Sequence, residues 1–169
     1  KAIITGFAGN DDKIVIPSII DGLEISGIDE SAFDGYTFKS IVISEGVEYI
    51  GDSMFSGFTN FTGDLVLPKS LKSIGSNAFR GCSGFTGDLV IPEGVTSIGD
   101  YAFGDCSGFT GDLVIPEGVT GIGEGAFRNC SGFTGDLEIH KGVTNIGSSA
   151  FRSCSGFTGN LEIPEGVTS

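Results

Sequence analysis

The sequence predicts a repeat solenoid, a right-handed coil of short parallel β-strands with a 24-residue period and little helix. Three observations predict it. Residues 64–87, 88–111, 112–135 and 136–159 align as four units without a gap. Apolar residues recur at the same columns of every unit. Glycine supplies 29 of 169 residues with no Gly-X-Y period, which excludes a collagen helix and places turns at fixed points.

The whole chain, residues 1–169, reads as one solenoid. Residues 40–63 form a diverged unit of the same length, and 13–39 form another that gains residues in its middle and loses some near its end. Partial units occupy 1–12 and 160–169. The chain runs out at Val167-Thr168-Ser169 without a polar cap, so the expectation is that the natural protein continues or that copies associate end to end.

Each column has a physical reading. Leu89, Ile91, Val95, Ile98, Ala102, Phe103, Cys106 and Phe109 stand for eight apolar columns. One 24-residue unit cannot bury so many apolar side chains alone, whereas stacked coils supply the layers of a continuous core. Leu89-Val90-Ile91 alternates in, out, in, the period of a short strand. The middle column changes from Val66, Val90 and Val114 to Glu138 and Glu162, as a water-facing position allows. Residues 95–98 give a second extended piece on the opposite side of the coil, and residues 100–103 leave room for a single helical turn.

Punctuation follows the same period. Pro68, Pro92, Pro116 and Pro164 end the first strand by fixing φ and removing an N–H. Gly94, Gly99, Gly108 and Gly111 mark the corners. Parallel strands stacked at ~4.8 Å make the predicted slab roughly 30 Å long.

Charge excludes several partners. The formal net charge of -13 repels phosphate backbones and anionic lipid, so neither nucleic acid nor direct membrane insertion is expected. No apolar run reaches the ~18 residues of a membrane span. The chain opens at Lys1, so the lack of an export signal is no argument for the cytoplasm.

Candidate chemistry is sparse. Cys82, Cys106, Cys130 and Cys154 recur every 24 residues and form one column. Phe58 fills that column in unit 40–63, which favours an interior apolar slot occupied by free thiols. Disulfides between adjacent coils meet the distance requirement only, and a metal site lacks tetrahedral convergence in a linear column. Phe79, Phe103, Phe127 and Phe151 form a second core column.

His140 is the sole histidine and stands at a proline position, an exposed corner without a nucleophile at catalytic spacing. Asp64, Asp88, Asp112 and Asp136 form an acidic column. Turn N–H groups of the same coil, plain solvation, and weak calcium contacts are its three readings. No paired-carboxylate pocket or phosphate loop is recognisable, so neither an enzyme nor a cofactor is predicted. Asn60 and Asn129 begin N-x-S/T triplets.

Tyr36, Phe38, Tyr49 and Met54 break the repeat in its least regular part. Aromatic residues and Met are enriched at interfaces, which makes these four the candidate contact residues; packing of a worn unit is the rival reading.

The pattern L-x-I-P-x-x-V-x-x-I-G-x-x-A-F-x-x-C, present at 89–106 and again at 113–130, resembles the BspA-like, or Treponema pallidum-type, leucine-rich repeats. The resemblance covers essentially the whole chain. It implies a curved solenoid with a parallel sheet on one face and a place outside the cell or at the bacterial cell surface. It also implies adhesion or binding of a host or extracellular-matrix protein, with no shared catalytic residues. Departures are Phe109 and its equivalents in a leucine column, and His140 and Ser44 in the proline column. A passive spacer within a larger surface protein is the alternative that the monotony of units 64–159 suggests.

Overall fold

The computed structural model describes residues 2–5, 12–28, 38–159 and 161–168. Its strands are β1 (Ala2–Ile4), β2 (Lys13–Ile16), β3 (Ile19–Ile20), β4 (Leu23–Ile28), β5 (Ser40–Ile43), β6 (Tyr49–Ile50) and β7 (Leu65–Val66). They continue with β8 (Ser73–Ile74), β9 (Ser97–Ile98), β10 (Leu113–Ile115), β11 (Gly121–Ile122), β12 (Leu137–Ile139) and β13 (Asn145–Ile146). Among the described residues there is no helix.

The result is a β-solenoid. Its second strands stack into one five-stranded parallel sheet in the order β13-β11-β9-β8-β6, and the register steps by one repeat each time: Ile50 against Ile74, Ile74 against Ile98, Ile98 against Ile122, Ile122 against Ile146. First strands stack as β2-β5-β7 and as β10-β12. Between these two ladders lies residues 89–91, whose sequence matches that of the neighbouring coils but which forms no strand. Nothing in the structure explains that gap.

Turns join the strands where the sequence places its punctuation. The Pro92 carbonyl accepts the Val95 N–H, and the same contact recurs at Pro68, Pro116, His140 and Pro164. Residues 100–103 form a turn and not a helix. Tyr101 has φ 52°, as do Ser53, Asn77 and Ser149 of its column at φ 56–59°. A left-handed residue at every repeat stops helical propagation after one turn.

The core fills the space between the ladders. Phe55, Phe79, Phe103, Phe127 and Phe151 stack ring on ring, with centroids 5.0, 5.3, 5.5 and 5.4 Å apart. Phe61, Phe85, Phe109, Phe133 and Phe157 make a second stack. The two stacks meet edge to face, as at Phe103 and Phe109 with a 77° interplanar angle. Offset and edge contacts of this kind suit the aromatic quadrupole. Among the described residues no polar or charged residue is wholly buried, although Arg128 Nε is covered without a hydrogen-bond partner, so the coils add mainly apolar area.

Glycine is required where coils approach too closely for a side chain. A Cβ at Gly108 would overlap the Phe85 carbonyl of the preceding coil, and one at Gly111 would overlap the Asp88 carboxylate. Gly111 also has φ 70°, which a larger residue adopts only under strain.

Candidate functional site

Regularity fails between β2 and β4. There β2 pairs with β5 at a 27-residue offset, Lys13 against Ser40, where later coils step by 24. The extra chain forms an antiparallel hairpin of β3 and β4, turned by Asp21 at φ 51° and Gly22 at φ 77°. Two consecutive positive φ values define the tight hairpin turn for which Asp-Gly is favoured. In place of β6, β4 takes β1 as its parallel partner, so the five-stranded sheet stops at β6.

A cleft of about 490 Å³ opens between this hairpin and the coil of β6. Its apolar lining includes Ile16, Ile43, Ile50 and Phe55, and Ile19, Glu24 and Ile25 contribute the hairpin wall. Among the described residues, Glu24 and Glu48 are the charged ones that line it, so they place negative charge over an apolar floor. The volume falls within the ordinary range of ligand pockets.

Of the four contact residues expected from the sequence, Tyr49 and Met54 line this cleft. Tyr49 is 64% exposed. Met54 stands in the column held by Ala78, Ala102 and Ala126, and its longer chain extends beyond the alanine slot and remains half-buried. Phe38 is placed differently. It is 1% exposed, bridges to Phe61 and packs against its ring at 5.7 Å, so it belongs to the second phenylalanine stack and is not a surface contact. One fewer residue separates Phe38 from Ser40 than separates Phe61 from Asp64, which hid its column. Tyr36 lies outside the described residues.

A second surface feature runs along the first strands. Val15, Val66, Val90 and Val114 are exposed, Val90 at 69%, and Asp64, Asp88 and Asp112 stand two positions before the last three. Among the described residues no carboxylate of the acidic column bonds to a turn N–H of its own coil. Where a bond forms it reaches the next coil: Asp136 N–H donates to the Asp112 carboxylate at 2.7 Å. Asp52 and Asp100 accept likewise from Ser76 and Glu124 N–H groups. Among the described residues no three His, Cys, Asp or Glu side chains gather as a metal set.

The cysteine column is internal, with all four thiols free. Each donates to a phenylalanine carbonyl one coil back, Cys82 to Phe55, Cys130 to Phe103 and Cys154 to Phe127 at 2.9–3.0 Å. Burial pushes the Cys82 thiol up to about 12 and Cys154 up to about 11, with Cys106 and Cys130 also well above the ordinary value. Burial therefore disfavours the thiolate, the form that attacks electrophiles and binds metals, most strongly at the three fully buried positions. His140 is half-buried: its Nε2 lies 3.0 Å from Glu117 and its Nδ1 accepts the Gly142 N–H. Those contacts hold a corner together and leave no base facing a nucleophile.

Parallel coils, two phenylalanine stacks and a surface lacking a catalytic constellation among the described residues define a leucine-rich-repeat scaffold. The BspA type leucine rich repeat region matches residues 26–158 in six copies, and the chain belongs to that family. Among solved structures it is similar to the leucine-rich repeat protein of T. pallidum, at 32% identity and a TM-score of 0.77, over 96% of this chain and 75% of that one. A leucine-rich cell surface protein of Faecalibacterium prausnitzii is 28% identical with a TM-score of 0.69, over 92% of this chain and 48% of that one. A leucine-rich repeat protein of Bacteroides ovatus shares the fold at 24% identity and a TM-score of 0.67, over 92% and 46%. The chain therefore spans about half the length of the latter two. Comparison with curated protein sequences gives no match. Among the described residues no helix is long and apolar enough to cross a membrane.

Proposed function

We propose that the chain is a non-enzymatic binding module displayed outside the cell or on a bacterial surface, and that its partners are host or extracellular-matrix proteins. The observation that carries this reading is the cleft beside β6, where the repeat loses its monotony and an exposed Tyr49 and a half-buried Met54 replace small residues. A distinguishable patch on a rigid platform is what specific recognition needs. The relative from Faecalibacterium prausnitzii, described as a cell surface protein, supports the location.

A spacer role is the second reading, favoured by coils 64–159, whose outward faces differ at few positions. Binding of the purified chain to matrix proteins, host-cell proteins and glycans tests both. Saturable binding that is lost on Tyr49→Ala or Met54→Lys supports the module. A folded chain that binds none of them supports the spacer. A variant comprising only the regular coils that binds as well as the whole chain moves the contact region out of the cleft.

A further inference from the structure

We infer that the open edge of β6 accepts an extended polypeptide as an added strand, and that the segment it takes alternates apolar with basic side chains. This deepens the binding-module reading and rests on it. Backbone hydrogen bonds argue for the extended form. In four successive coils one glycine N–H donates to an isoleucine carbonyl of the coil before it: Gly75 to Ile50, Gly99 to Ile74, Gly123 to Ile98 and Gly147 to Ile122, at 2.7–2.9 Å. A second row repeats beside it, with Lys72 donating to Glu48, Thr96 to Lys72, Thr120 to Thr96 and Thr144 to Thr120.

Flanking β6, the same two donors are Gly51 N–H and Glu48 N–H, and neither has a partner among the described residues. An unpaired strand edge is a template for another backbone, and strand addition draws its affinity from such main-chain bonds.

The floor and rim of the cleft select the side chains. Ile50 points inward at 2% exposure and Tyr49 points outward, so an added strand places alternate residues over the apolar floor and at the rim. The floor, with Ile16, Ile43 and Phe55, suits aliphatic groups. At the rim stand Glu24 and Glu48, and among the described residues no Lys or Arg lines the cleft. Charge complementarity therefore favours Lys or Arg at the rim-facing positions.

Amide hydrogen exchange on the 169-residue chain tests this, with a short synthetic peptide of alternating Val and Lys as the probe. The Gly51 amide is expected to exchange at least about tenfold faster than those of Gly75 and Gly99 in the free chain, and to slow by about tenfold at saturating peptide. The double variant E24K/E48K is expected to weaken binding of the Val-Lys peptide about tenfold. A Gly51 amide already as slow as that of Gly75 without peptide means that the edge is covered, and overturns the proposal. Peptide binding that leaves Gly51 exchange unchanged overturns strand addition while the binding-module reading stands. Equal binding of an alternating Val and Glu peptide overturns the charge selection. Failure to bind any peptide overturns the strand proposal alone, because the binding-module reading is decided by matrix and host proteins.

Discussion

The Cys106 thiol donates to the Phe79 carbonyl oxygen at 3.0 Å, one coil back along the solenoid. The contact holds the cysteine column as a set of protonated donors inside an apolar core, since burial raises every thiol in it. Reactivity is expected to follow position. Cys154, half-buried in the last complete coil, should be the one thiol that a bulky disulfide reagent modifies in the folded chain near neutral pH. Titration of accessible thiols by absorbance checks it, with full reaction of the other three expected only after denaturation. Modification of Cys106 at the rate of Cys154 would contradict the packing.

The same column predicts alkaline destabilisation. Unfolded thiols ionise near pH ~8.5, whereas Cys82 in the fold is pushed up to about 12. Between those values the native state holds protons that the unfolded state has released. Stability is then fully present below pH ~8.5 and declines as pH rises toward the folded value. Urea midpoints measured across that window should fall, and Cys82→Ala and Cys106→Ala should each flatten the slope. An equal slope in these variants would assign the loss to other groups.

Phenylalanine stacks carry the cohesion between coils. Phe103 is fully buried between Phe79 and Phe127, so Phe103→Ala removes two ring contacts and leaves a cavity. The expected cost is about 3–5 kcal/mol. Phe157, in the last coil, is partly buried and among the described residues stacks on Phe133 alone, so Phe157→Ala should cost distinctly less. Urea unfolding of the two variants gives the comparison, and equal losses would show that the end coil is as well packed as the middle.

These columns were legible in the sequence because stacking imposes one physical demand on every unit: whatever fills the slot of Phe103 must also fit above Phe79 and below Phe127. The irregular part was less so. Asp21-Gly22 between Ile20 and Leu23 carries the strongest short hairpin signal, yet Ile14-Val15-Ile16-Pro17 resembles the start of a regular unit, and the insertion was absorbed into a coil. Phe38 read as a break in the repeat because a deletion moved it by one position out of its column. The cleft itself had no signature, since it arises from β4 pairing with β1 in place of β6. The missing strand at 89–91 was unreadable for a simpler reason: its residues are those of its neighbours.

Two glycines in adjacent coils separate close approach from mere composition. At Gly108 an added Cβ would overlap the Phe85 carbonyl and stand 2.7 Å from that of Ser83, both backbone atoms that a rotamer change cannot move. At Gly121, inside β11, an added Cβ meets nothing within 4 Å and φ is not positive. The corresponding residues on neighbouring strands are Ser97 and Asn145, so a side chain is already accommodated at that level of the sheet. Gly108→Ala should therefore push two coils apart and cost about 1–3 kcal/mol, the usual range for overpacking. Gly121→Ala should be neutral or stabilise by about 0.4–1 kcal/mol, because it restricts the unfolded chain and strains nothing in the fold. Urea midpoints of the two single variants decide the matter. If Gly108→Ala proved as stable as Gly121→Ala, the close approach of coils at the Phe85 carbonyl would be wrong, and with it the reason why a repeat this rich in glycine keeps one at that corner.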